Sequence, residues 1–185
     1  MYNMDMIYSF KEALKTFGSR YQIRKALFEK RIFVIKRGYY SDEKPLKDEA
    51  ALSIFYPGVI FTLNSAFFLY DLTDTIPDYF YVASLRTDVR IKDKDVKQSY
   101  QEKEIFALGT SSLKTPTGMV RIYDKERLLI ELIRFQKRLP YDYYKEIIGN
   151  YRKISYLLDS NKIAAYTNHF KNGETILRQI MREVF

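Results

Sequence analysis

The feature that most constrains this chain is a pair of capped helical segments followed at once by a β-branched ribbon. It lies between Ser9 and Tyr40, in the stretch SFKEALKTFGSRYQIRKALFEKRIFVIKRGYY. Ser9 and Glu12 have the S-x-x-E spacing of a capping box, in which each side chain satisfies an orphan amide at a helix start. Phe10, Ala13, Leu14 and Phe17 then recur at i, i+3, i+4 and i+7 as one apolar stripe, and Gly18 follows as a C-terminal stop. Ser19 caps a second helix at once. In that helix Ile23, Ala26 and Leu27 form the inward face, Tyr21 and Lys25 point the opposite way, and Gln22 and Arg24 lie on the flanks. The run Ile32 to Ile35 is β-branched and aromatic, Lys36, Arg37 and Gly38 suit a turn, and Tyr39 and Tyr40 resume an extended strand. Two short helices, a tight turn and a two-stranded ribbon are the plan of a winged helix-turn-helix. Met1 to Tyr8 leave room for at most about two turns of a preceding helix.

Charge gives that plan a direction. From Lys11 to Arg37 there are nine cations and only two carboxylates, Glu12 and Glu29. A helix with free N-terminal amides and basic side chains suits phosphate, and its width fits the major groove of a duplex. We therefore expect Tyr21, Gln22, Arg24 and Lys25 to face the groove, and Lys36 and Arg37 to contact DNA from the wing. The competing expectation is a protein-interaction module whose charges are only a solvated face.

The whole chain has 185 residues, a formal charge of +8 and a pI near 9.4. Residues 1 to 45 carry ten cations and five anions, 46 to 123 nine and ten, and 124 to 185 twelve and eight. Both ends of the chain are basic and the middle is not. There is no cysteine, which excludes disulfides and thiolate metal sites and fits a reducing cytoplasm. His169 is the single histidine, and a zinc site would need partners for it. No charged segment followed by an apolar core marks a signal peptide, and the most apolar stretch, Ile54 to Leu72, is broken by Pro57, Gly58, Asn64 and Asp71. We expect no membrane span.

Ser41 to Lys47 is polar, contains Pro45 and reads as a linker, dividing the chain into domains 1–44 and 45–185. The fold class expected is α+β: the winged helix-turn-helix, then a mixed α/β domain with a helical C-terminal third. Asp48 to Phe55 reads as a short helix and Val59 to Leu63 as a buried strand, after which Asn64 or Ser65 is placed to cap a helix through Tyr70. Tyr79 to Ser84 reads as another strand, and Ile105 to Leu113 with Met119 to Tyr123 as a hairpin around Pro116 to Gly118. Asp124 caps KERLLIELIRF, whose apolar residues suit a sheet face; Pro140 opens a helix with Tyr144, Ile147, Ile148 and Tyr151 on one stripe. Further helices are expected from about Ser160 to Phe170 and from Gly173 to near Val184. Ten cations from Arg134 to Arg182 fall on exposed faces.

Little in the chain suggests catalysis. Asp95 and Lys97 have the D-x-K spacing of some metal-dependent nucleases, but IKDKDVKQSYQEKE reads as a polar helix or loop rather than the end of a buried strand. No glycine-rich phosphate loop, nucleophile elbow or metal-binding helix motif is present, so no cofactor and no catalytic residue are assigned.

Four stretches in this order resemble the AbiEi antitoxins of bacterial abortive-infection, type IV toxin-antitoxin systems: Lys36 to Lys44, Tyr56 to Ser84, Ile122 to Phe135 and Leu139 to Ile154. Together they extend over nearly the whole chain. The resemblance implies an N-terminal winged helix joined to a C-terminal antitoxin domain. It also implies a repressor of its own operon that binds inverted repeats in double-stranded DNA, counteracting a nucleotidyltransferase-like toxin without a stable complex. By that likeness Arg20, Tyr21, Gln22, Arg24, Lys25, Lys36 and Arg37 would form the DNA-contacting module. Inverted repeats call for two copies per operator, whether or not they dimerise beforehand. A protein-binding adaptor and a metal-dependent nuclease are the rival expectations.

Overall fold

The computed structural model describes residues 7–42 and 48–185, and the chain divides into two compact units, Met1–Phe55 and Tyr56–Phe185. It is a mixed α+β protein. The division falls after the helix Glu49–Phe55, so a segment that the sequence assigns to the second domain groups with the first.

The first unit begins with strand β1 (Ile7–Ser9), then α1 (Phe10–Phe17) and α2 (Arg20–Phe28). Ser9 and Glu12 form the expected capping box, the Ser9 amide donating to Glu12 Oε2 at 2.7 Å and the Glu12 amide to Ser9 Oγ at 3.3 Å. Strands β2 (Phe33–Lys36) and β3 (Tyr39–Ser41) follow, and β3 pairs antiparallel with both β2 and β1 in the order β1-β3-β2. α3 (Glu49–Phe55) completes the unit, with the Ala51 amide donating to Asp48 Oδ1 at 2.8 Å. Any helix before Ile7, and the linker from residue 43 to 47, lie outside the described residues. The core of the unit is a small cluster of Ala13, Ile23, Ala26 and Ile32, ringed by Tyr8, Phe10, Leu14, Phe17, Leu27 and Tyr40. Both expected helical stripes face it.

The second unit is built on β4 (Ile60–Phe61), α4 (Leu63–Leu69), β5 (Phe80–Leu85), β6 (Val96–Gln101), the short α5 (Lys103–Phe106), β7 (Thr110–Thr115) and β8 (Gly118–Tyr123). The strands form one mixed sheet, β6-β5-β4-β8-β7. β5 runs parallel to β6 and β4 parallel to β8; the β4–β5 and β7–β8 pairs are antiparallel. Three local expectations change. The Asp95–Lys97 segment is not a polar helix or loop, because Val96 and Lys97 open the edge strand β6. Ile105 belongs to α5, so the hairpin begins only at Thr110. Neither Asn64 nor Ser65 caps α4, which already begins at Leu63; the Ser65 hydroxyl donates to the Tyr79 carbonyl at 3.2 Å and accepts from the Tyr81 amide at 2.8 Å, tying the helix to β5.

Four helices close the chain: α6 (Lys125–Phe135), α7 (Tyr141–Lys153), α8 (Ser160–Thr167) and α9 (Gly173–Glu183). Asp124 caps α6, accepting from the Arg127 amide at 2.8 Å. Tyr144, Ile147, Ile148 and Tyr151 of α7 are buried, as their stripe requires. α9 begins at Gly173 itself, where a side chain has no room: a Cβ would stand 2.0 Å from the Thr167 carbonyl oxygen.

Rather than covering a sheet face with one stripe, α6 is buried on every side from Glu126 to Ile133, with α4, α8 and α9 packed around it. Its charges are met inside the protein. Glu131 accepts both oxygens' bonds from Arg134 at 2.9 Å, and Arg127 Nη2 lies 2.6 Å from Glu131 Oε1. The buried Arg127 guanidinium also stacks against the Tyr123 and Phe170 rings, 4.9 and 4.6 Å from their centroids, although none of its nitrogens is placed for a well-directed hydrogen bond. Lys162 of α8 bridges Asp124 at 3.0 Å and Glu126 at 3.3 Å. Among the described residues, no helix is long and apolar enough to cross a membrane.

Removing Glu131 strands two guanidinium groups, one of them fully buried. Glu131→Ala is expected to destabilise the chain by roughly 3–5 kcal/mol, read as a lower urea midpoint, whereas Lys171→Ala at an exposed position changes it by less than about 0.5 kcal/mol.

Candidate nucleic-acid interface

The orientation of α2 follows from what it buries. Ser19 accepts a hydrogen bond from the Gln22 amide at 3.2 Å, which starts the helix two residues after Gly18 closes α1. Ile23 and Ala26 enter the core, so Arg20, Tyr21, Gln22, Arg24 and Lys25 all reach solvent. Tyr21 is 72% exposed. These are the positions that the sequence places on the outer face and flanks, and one helix brings them together.

The two nearby carboxylates are already engaged. Glu12 is held in its capping box, and hydrogen bonds from the Ser9 hydroxyl and then the Ser9 amide pull its carboxyl below the ordinary value. Glu29 accepts from Arg31 Nε at 2.8 Å, with the Lys25 ammonium farther off at 3.9 Å. The exposed pair at 3.9 Å is weak by its distance and solvation. Lys25 therefore keeps its charge toward solvent, and the positive field of α2 is only partly offset. Arg20 leans back over the Phe10 ring, 5.4 Å from its centroid, which places it at the junction of α1 and α2.

The ribbon is tighter than its sequence indicates. Lys36 is a β2 residue, half-buried, with its ammonium 5.8 Å from the centre of the Phe55 ring. The turn is Arg37–Gly38 alone, and Gly38 takes φ +86, a left-handed conformation that suits glycine. A register shift between Val34 and Lys36 accompanies it. The Gly38 carbonyl accepts from the Phe10 amide at 2.7 Å, fastening the turn to the start of α1. Arg37 is exposed at that turn, whereas Lys36 stands behind it, and the two do not form one cationic tip.

Two exposed apolar residues escaped the sequence reading. Phe28, at the end of α2, is 90% exposed, and Val34 of β2 is also exposed. Phe28 follows Leu27 at the helix end, so the stripe by itself gave no reason to place it outside. Lys30, just beyond, has φ +54.

The D-x-K pair falls in the second unit. Asp95 is half-buried and its carbonyl accepts from the Phe80 amide at 2.8 Å, while the Lys97 ammonium lies 4.2 Å from the centre of the Tyr79 ring. Among the described residues, no three His, Cys, Asp or Glu side chains are grouped so as to hold a metal ion.

The fold is that of a two-unit α+β chain, the first unit small and basic, the second a mixed sheet with helices. No protein-family model matches the chain, and no curated protein matches it. Among solved structures, the chain is similar to the crystal structure of RV2827C protein from Mycobacterium tuberculosis, with a TM-score of 0.68. The match covers 96% of this chain and 72% of that one at 11% sequence identity, and it is a likeness of fold alone.

The Glu12 carboxylate is favoured in the folded state, so its stabilisation is complete above the unfolded carboxylate value of about 4.3 and is lost as pH falls through the lower folded value. Helix content of the wild type, followed by far-ultraviolet circular dichroism on acidification, is expected to fall with a component that Glu12→Gln removes.

Proposed function

We propose that this chain is a DNA-binding antitoxin and transcriptional autorepressor of the AbiEi kind, whose first unit acts as a winged helix-turn-helix and which carries no catalysis of its own. In this reading α1 and α2 are the helix-turn-helix, α2 enters the major groove, and the β2–β3 hairpin is a short wing. Tyr21, Gln22, Arg24 and Lys25 face base edges and phosphates, Arg20 meets the backbone at the helix start, and Arg37 reaches a flanking phosphate. Lys36 contributes charge from behind the turn. The observation that carries the proposal is the exposed, cationic outer face of α2, displayed by a helix whose other face is locked in the core. Inverted repeats require two copies on one operator, arranged about a two-fold axis. The second unit is assigned the antitoxin role against a nucleotidyltransferase-like toxin, in the cytoplasm, by the sequence resemblance.

One observation favours a second reading, a protein-binding adaptor. Tyr21 and Phe28 are both strongly exposed on the same short helix, and exposed aromatic side chains are enriched where proteins meet.

Fluorescence anisotropy with duplex DNA from the region directly upstream of the gene tests the proposal. Binding is expected to weaken steeply with salt, by roughly one logarithmic unit of slope per phosphate contact. Lys25→Glu and Arg24→Glu should each reduce affinity on the order of tenfold or more, with thermal stability unchanged. Unaltered binding in both variants would overturn the assignment of α2. If Phe28→Ser instead abolishes capture of the toxin and leaves DNA affinity untouched, the adaptor reading holds for that residue.

A further inference from the structure

A cleft of about 460 Å³ opens within the second unit, between α4, the strands β5 and β6, and the segment that follows α6. Its volume lies in the range of small-ligand sites, roughly 300–1,000 Å³. Its lining combines cations, aromatic rings and polar side chains with apolar surface. Lys97 comes from β6 and Arg138 from the 3₁₀ turn after α6. Both are exposed cations whose contacts in the structure are aromatic, Lys97 with Tyr79 and Arg138 with Phe135, 5.2 Å from the ring centre. Neither has a carboxylate partner among the described residues. Tyr81 and Phe135 add ring surface.

Thr62, Asn64, Gln98 and Ser99 supply the polar groups. Thr62 is only 1% exposed, and neither its hydroxyl nor the Asn64 side-chain oxygen has a hydrogen-bond partner. Thr62 occupies the N-cap position of α4 without capping it, although a threonine there ordinarily satisfies a helix amide. A buried hydroxyl without a partner is costly, and native structures keep few of them. Beside it, Leu63 takes φ +45, a left-handed conformation that is strained for a non-glycine residue. Unpaired polar groups and strain thus meet at one cleft, a combination that marks binding sites.

We propose that this cleft binds a nucleoside monophosphate unit, with its phosphate between Lys97 and Arg138, its ring system against the aromatic wall, and Thr62 and Asn64 completing the directional hydrogen bonds. Cations with aromatic surface are the means by which proteins hold nucleotides without reading a duplex. The unit is either a free mononucleotide or one residue of a single strand. Lys97 also lines an adjoining cleft of about 660 Å³ with Arg90, Lys92 and Lys94 against a single carboxylate, Asp93, and the neighbouring phosphate of a strand would lie there on the cationic side.

Titration calorimetry of the full chain with AMP, UMP, inorganic phosphate and a five-nucleotide single-stranded RNA tests the assignment. Saturable one-to-one binding of a mononucleotide or of the oligonucleotide is expected, tighter than that of inorganic phosphate. A free nucleotide as the natural occupant makes AMP or UMP at least equal to the oligonucleotide; a strand makes the oligonucleotide tighter and its affinity sensitive to Lys92→Ala. Lys97→Ala and Arg138→Ala should each weaken binding about tenfold or more, the loss of one charge-assisted hydrogen bond. Thr62→Val should weaken it while leaving the thermal midpoint unchanged or higher, because the hydroxyl has no partner to lose. The proposal fails if none of the nucleotide probes saturates, if inorganic phosphate binds as tightly as they do, or if binding is unchanged in the Lys97→Ala, Arg138→Ala double variant. Because these residues lie outside α1, α2 and the hairpin, failure here leaves duplex binding by the first unit unaffected.

Discussion

Burial of Ala13, Ile23, Ala26 and Ile32 in one small cluster decides what the first unit shows to solvent. Helices as short as α1 and α2 are not stable in water alone; packing of an apolar face holds them. The two alanines let the helices approach closely, and the aromatic residues around them close the edges. Once Ile23 and Ala26 point inward, a rotation of 100° per residue leaves Tyr21, Gln22, Arg24 and Lys25 no other place than the surface. The cationic face is thus a by-product of the core. A helix that rolled to hide its charges would expose Ile23 and forfeit most of the apolar burial this unit has.

The second unit treats charge in the opposite way. Its central helix α6 carries Glu126, Arg127 and Glu131 into the interior, where Lys162, Arg134 and stacked rings answer them. Several cations of the basic C-terminal third are therefore consumed in holding helices together. Arg127 is fully buried, Arg134 is bound to Glu131, and Lys162 spans two carboxylates. A buried ion pair is weak evidence for stability, but it is intolerant of a wrong partner, and it gives α6 one rotational setting among its neighbours. Asp124, Glu126 and Glu131 are consumed with them, so the formal excess of positive charge at that end is carried by the side chains left outside.

How much of this was legible follows from the range of each interaction. The capping box at Ser9, the cap at Ser19, the cap at Asp124 and the stripes of α1, α2 and α7 all rest on contacts within a turn or two, and the spacing of residues reveals them. β6 was not legible, because an edge strand of sequence VKQSYQ has no apolar alternation, and only its pairing with β5 makes it extended. All-round burial of α6 was equally hidden: KERLLIELIRF looks amphipathic until Lys162 and Phe170, distant in sequence, come to rest on its polar side. Lys36 was misplaced for the same reason, since its neighbour Phe55 belongs to a helix beyond the expected linker. At the candidate interface the outer residues of α2 were readable, whereas the exposure of Phe28 depends on where the helix stops and the chain turns at Lys30. Thr62 stood out even less, because its missing partner is a property of the fold and not of the residue type.

The hydrogen bond from Phe10 to the Gly38 carbonyl joins the hairpin turn to the first residue of α1. With only two residues in the turn, the hairpin has little slack against the helical pair. Under the proposed function such a unit would meet DNA already shaped, so little chain entropy would be lost on contact. Under the proposed function the same short connection limits the footprint: a duplex whose grooves depart from the spacing of α2 and the hairpin would itself have to deform, and its sequence-dependent flexibility would enter the choice of site.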